Sequence, residues 1–102
     1  NQVFRYHLPM DYEYAWDDRK ALVNLQKHKV TFEEASSVFS DPLSVTYSDG
    51  KHSLNEARYL TFGMSFSDRI LIVSHTEMPA GIRIISARRA DRTERKIYEQ
   101  GQ

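Results

Sequence analysis

The stretch Ile70-Leu71-Ile72-Val73 is the longest uninterrupted apolar run in the chain, and it is apolar on both parities of an extended backbone. Alternate side chains of a strand leave opposite faces, so this run reads as a central strand covered on both sides. Four residues fall far short of the roughly 20 that span a bilayer as a helix. The sheet and its cover must come from 102 residues. A chain of that size buries about two-thirds of its unfolded surface, enough for one core but not for a deep cofactor cavity. Cysteine is absent, which excludes disulfides, thiolate metal sites and a cysteine nucleophile. The expectation is a cytoplasmic, non-membrane protein without a cofactor, with one domain over 12–102 and residues 1–11 as an N-terminal extension.

The rest of the sheet is legible from alternation and turn residues. A short strand around Tyr12 to Trp16 precedes Asp17-Asp18, where acid can sit at the positive end of a helix running to His28. In that helix Ala21, Leu22 and Leu25 form an apolar stripe, and Lys20, Asn24 and Lys27 read as a separate, solvated face. Thr31 and Glu34 have capping-box spacing, so a second helix starts at Phe32 and stops at Asp41-Pro42. Leu43, Val45 and Tyr47 alternate with polar residues up to the Asp49-Gly50 turn. In the next strand Leu60, Phe62, Met64 and Phe66 share a face, with Arg58 and Glu56 on its rim. Ser67-Asp68 and Pro79-Ala80-Gly81 bound the central strand, a further strand covers Ile82 to Ala87, and Asp91 with Glu94 caps a last helix ending at Gly101. Few apolar residues beyond Ile97 and Tyr98 imply that this helix holds weakly to the core. The order β-α-α-β-β-β-β-α gives an α+β fold with an antiparallel sheet, two N-terminal helices and one C-terminal helix.

Fourteen basic and 14 acidic side chains cancel overall, but residues 1–51 carry 6 against 8 and residues 52–102 carry 8 against 6. Arg83, Arg88, Arg89, Arg92, Arg95 and Lys96 against Asp91 and Glu94 make a local +4 that can attract phosphates. No P-loop, GxGxxG, HExxH or GxSxG is present, and His7, His28, His52 and His75 are too scattered to suggest a metal site. Arg83 inside an apolar strand needs a partner, either a carboxylate or a bound phosphate. Arg83 and Arg88 are five residues apart, so they share a face only if the strand ends or bulges between them.

Trp16-Asp17, Lys20, Asn24, Lys27-His28, Phe32-Glu33-Glu34-Ala35, Asp41-Pro42, His52, Glu56, Arg58, Arg69 and Arg83-Ile84-Ile85-Ser86-Ala87-Arg88 resemble the BrnT family, in order, from Trp16 to about Glu94. Lys29 departs from the pattern, standing where the family often has glycine. The resemblance implies a compact fold similar to RelE-type ribonucleases. It also implies an endoribonuclease toxin of a type II toxin-antitoxin system, neutralised by a BrnA antitoxin with a ribbon-helix-helix part that takes the complex to operator DNA.

Cleaving RNA without a metal requires a base for the 2′-hydroxyl, cations for the phosphorane and an acid for the 5′-oxygen. The expected set is Glu56 or His52 as base, Arg58, Arg83 and Arg88 as clamps, and His28 or Lys27 as acid. Lys20, Lys27, Ser86 and Trp16 are expected to bind substrate. The alternative from another class is a non-catalytic RNA- or partner-binding module using the basic C-terminal third, and the last helix is a candidate for antitoxin docking or dimerisation.

Overall fold

The computed structural model describes residues 13–53 and 55–101; the expected extension over 1–11, and Tyr12 of the first expected strand, lie outside them. The elements are β1 (Glu13–Ala15), α1 (Asp18–His28), α2 (Phe32–Ser37) with a 3-10 turn (Val38–Ser40), β2 (Val45–Ser48), a second 3-10 turn (Gly50–His52), β3 (Tyr59–Met64), β4 (Ile70–Met78), β5 (Gly81–Arg89) and α3 (Arg92–Gln100). They form one sheet in the order β1-β5-β4-β3-β2. The β2, β3, β4 and β5 pairings are antiparallel as expected, but β1 joins β5 in parallel, so the sheet is mixed. Gly81 permits this, because a Cβ there would meet the Glu13 carbonyl oxygen at 1.8 Å. The apolar face of β3 ends earlier than expected: the Ser65 N–H turns to the Arg69 carbonyl, and Phe66 projects beyond the strand, 68% exposed.

Helix boundaries follow the capping residues. Asp17 accepts from the Lys20 N–H and Thr31 from the Glu34 N–H, and Asp91 and Glu94 form the full reciprocal box. Thr31 has only half of its box, because the Glu34 carboxylate turns instead to Arg69 and to the Ser65 hydroxyl at 2.6 Å. Arg69 also donates to the Lys29 carbonyl at 3.1 Å, bracing the joint between α1 and α2. Lys29 closes α1 in the left-handed region, φ 59 and ψ 35, a conformation that glycine adopts at lower cost by about 1 kcal/mol.

The β4 run is covered on both faces. Leu71 and Val73 pack with Val30, Phe32, Ala35, Val38, Ile82, Ile84 and Ala87 beneath the helical layer, while Ile72 joins Phe62, Ala90 and Tyr98 on the other face. α3 is held more firmly than its composition suggests. The Tyr98 hydroxyl donates to Asp41 at 2.6 Å, and Arg88 donates twice to Glu94, at 2.8 and 2.7 Å.

Two features shape β5. Ser74 pairs with Ser86 and His75 with Ile84, so Ile85 is an extra residue, a bulge. Beyond Arg83 no strand among the described residues covers the outer edge of β5, and the Asn24 side chain takes that place. Its Nδ2 donates to Ala87 O at 2.8 Å and to Val30 O at 3.0 Å, while its Oδ1 accepts from the Ala87 N–H at 3.0 Å. Asn24 is therefore buried, against the expectation of a solvated face.

Leaving these backbone groups unsatisfied is expensive, so Asn24→Ala should lose roughly 3 kcal/mol of unfolding free energy in urea titration. Burial pushes Asp41 up, but the hydrogen bonds from Tyr98 and from the Met64 and Leu43 N–H groups outweigh it and hold the carboxyl below its usual range. Burial, then Asp41, pushes Tyr98 up to about 12. A folded value above the unfolded value of about 10 contributes stability that is present below pH 10 and lost as pH rises through 12. The stability gap between the wild type and Tyr98→Phe should therefore be constant up to about pH 10 and close by about pH 12 in alkaline denaturation.

Candidate functional site

The bulge at Ile85 decides which side chains share a face. Arg83 lies opposite Thr76, Ser86 opposite Ser74 and Arg88 opposite Ile72, and residues 72, 74 and 76 have one parity on β4. Arg83, Ser86 and Arg88 therefore project from the same face of the sheet, the face that α3 only partly covers. Arg58 immediately precedes β3, and the register Tyr59 to His75 continues to place it across from Thr76. Arg58, Thr76 and Arg83 thus form a row across three strands, with the two arginines about 10 Å apart at their backbones. Thr76 in the middle is only 3% exposed.

Hydrogen bonds close the loop before β3. The Asp49 N–H donates to the Arg58 carbonyl at 2.8 Å, the Ser53 hydroxyl donates to the Asp49 carbonyl at 2.7 Å, and the Arg58 N–H donates to Ser53 Oγ at 3.0 Å. This closure brings Glu56 to Arg83, with which it forms an ion pair in which both side chains are 39–46% exposed. Of the two kinds of partner open to Arg83, the structure holds a carboxylate, and it belongs to one of the expected site residues. His52 stands at the same loop, its Nδ1 2.9 Å from Asp49 Oδ2 and its ring largely exposed. Arg88 is held by both oxygens of Glu94, and this pair raises the guanidinium and lowers the carboxyl from their ordinary values. Arg58 has no ion pair among the described residues, and its buried Nε has no hydrogen-bond partner. Of these three arginines, Arg83 and Arg88 are paired with Glu56 and Glu94, and Arg58 is not paired with a carboxylate among the described residues.

The other expected residues gather on the opposite side of Ser86. A groove of about 430 Å³ runs between α1 and the free edge of β5, lined by Asp17, Arg19, Lys20, Val23, Asn24, Lys27, His28, Ile85 and Ser86. Lys20, Lys27, His28 and Ser86 thus come together, and Ser86 borders both the groove and the arginine face. Trp16 packs on the main core, edge-on to Phe32 with ring centroids 5.8 Å apart, and is only partly exposed. Arg19, Val23 and Ile85 in the groove and Glu94 beside Arg88 were not among the expected site residues. The helical spacing of Ala21, Asn24 and His28 was an available signal, since these three are the inward stripe of α1. Among the described residues, no three of His, Cys, Asp or Glu gather as a metal-binding group, and no helix is long and apolar enough to cross a membrane.

A family model described as the ribonuclease toxin BrnT of a type II toxin-antitoxin system matches residues 16–94. The chain is also similar in fold to the crystal structure of the Brucella abortus ribonuclease toxin BrnT, with a TM-score of 0.60 and 21% identity, covering 78% of this chain and 96% of that one. No curated protein matches the sequence.

Proposed function

This chain belongs to the BrnT family of ribonuclease toxins of type II toxin-antitoxin systems, and from that premise we propose that it is a metal-independent endoribonuclease whose active face is the row of arginines on the sheet. The observation that carries the reading is the bulge at Ile85, which sets Arg83, Ser86 and Arg88 on one face beside Arg58 and Glu56.

In this reading Glu56 or His52 takes the proton of a 2′-hydroxyl, and the 2′-oxygen attacks the adjacent phosphorus. The P–O5′ bond breaks as the leaving oxygen is protonated by His28 or Lys27. The products are a 2′,3′-cyclic phosphate end and a free 5′-hydroxyl. Arg58, Arg83 and Arg88 carry the charge that builds on the phosphorane, a task suited to a planar guanidinium that donates paired hydrogen bonds and stays charged. Arg58 is available at once, whereas Arg83 and Arg88 exchange a carboxylate for the phosphate. Lys20, Lys27, Ser86 and Trp16 contact the substrate, Trp16 through the exposed part of its ring. A type II system implies an antitoxin partner; we assign it to the BrnA type, bringing the complex to operator DNA through a ribbon-helix-helix part. The kinship to RelE-type ribonucleases belongs to the same reading. The opposing reading, a binding module without catalysis, draws support from Arg83 and Arg88 both being paired with carboxylates.

The Glu56–Arg83 pair is exposed enough that breaking it should cost less than about 1 kcal/mol. Glu56→Ala and Arg83→Ala should therefore unfold within a few degrees of the wild type yet lose at least 100-fold in cleavage of a single-stranded RNA. Retained activity in both variants would remove the assignment.

A further inference from the structure

We propose that the groove between α1 and β5 is a binding track for single-stranded RNA flanking the scissile phosphate, with Lys20 and Lys27 each holding one backbone phosphate. This rests on the ribonuclease reading and adds where the strand runs; with Lys27 on a flanking phosphate, the part of the acid falls to His28. Lys20 and Lys27 are seven residues apart on an 11-residue helix, so they lie on nearly the same stripe and about 10.5 Å apart along the axis. That spacing serves two sites along an extended strand rather than one small anion. The groove carries Arg19, Lys20 and Lys27 against Asp17 alone, and Asp17 is already engaged by the Lys20 N–H at 3.0 Å as the helix cap.

The remaining lining fits a polynucleotide. Val23, 53% exposed, and Ile85 present apolar surface between the cations, where a ribose or base face can lie. Asn24 forms a fixed wall, since its amide is already committed to Ala87 and Val30. The track is continuous with the arginine face through Ser86, which borders both. A strand leaving the groove therefore passes over the β5 edge at the bulge and arrives at Arg83.

The test uses a labelled 2′-O-methyl oligonucleotide, which has no free 2′-hydroxyl and so reports binding without cleavage. For single strands the logarithm of affinity falls with the logarithm of salt with a slope of about −0.7 per phosphate contact. Lys20→Gln with Lys27→Gln should therefore reduce the magnitude of the slope by about 1.4, and each single change by about 0.7. These are exposed helix positions where glutamine is well tolerated, so circular dichroism should be unchanged. The control pair, Arg92→Gln with Lys96→Gln on the exposed side of α3, should keep the wild-type slope.

An unchanged slope in the Lys20 and Lys27 variants, a larger loss in the α3 pair, or no measurable binding by the wild type would overturn the track. So would loss of antitoxin affinity in those variants with the RNA slope intact, which would make the groove a protein-docking surface. The ribonuclease reading is judged separately, on unmodified RNA with the wild type. Intact RNA combined with the expected slope loss would reject catalysis and leave the track standing.

Discussion

One side-chain amide replaces a missing strand. β1 stops pairing at Arg83, and the next stretch of β5 would present bare backbone groups at an edge. Asn24 satisfies both polar groups of Ala87 and at the same time takes the Val30 carbonyl at the start of α2's approach. It therefore fixes α1 against the sheet and the α1–α2 joint in one place. The adjoining bulge at Ile85 needs such an anchor, because a bulged strand bends away from its regular register. The groove and the arginine face meet at Ser86, between these two features.

The ion pairs around this frame differ in burial, and with it in role. The Glu34 side chain is only 7% exposed and accepts from Arg69 and Ser65, and Arg69, the dominant influence, holds its carboxyl well below the usual range. That pair ties the α1–α2 joint to the turn between β3 and β4, where neither partner is free for exchange without leaving a buried charge. Arg88 and Glu94 are intermediate, because Glu94 also accepts from the Asp91 N–H and so completes the α3 cap. Glu56 and Arg83 are the most exposed pair, held by a loop rather than by a core. Exposure of the paired carboxylate therefore rises from Glu34 through Glu94 to Glu56, and the cost of parting it from its arginine falls in the same order.

Much of the fold was legible because its boundaries are written locally. Asp17, Thr31 and Asp91 mark helix starts by side chains that bond three residues ahead, and the alternation of β2 and β3 marks their faces. What escaped was non-local. Nothing in Ile84-Ile85-Ser86 distinguishes a bulge from regular strand, and without it Arg83 and Arg88 fall on opposite faces. Asn24 looked solvated because its partner Ala87 is 63 residues away. The α3 helix looked loosely held because Tyr98 meets Asp41 across 57 residues. The resemblance brought the candidate site residues together as a set, and the structure divides them between an arginine face with its adjoining loop and a lysine-lined groove, with Trp16 apart on the core.

Transesterification of RNA at the arginine face, without a metal, is the step proposed above on which the functional reading stands. The most direct test is incubation of the wild-type chain with single-stranded RNA in excess EDTA, followed by mapping of the product ends. The account predicts cleavage that leaves 2′,3′-cyclic phosphate and 5′-hydroxyl ends and that stops when the antitoxin is added. Intact RNA with a folded protein, or cleavage that requires a restored divalent cation, would contradict it.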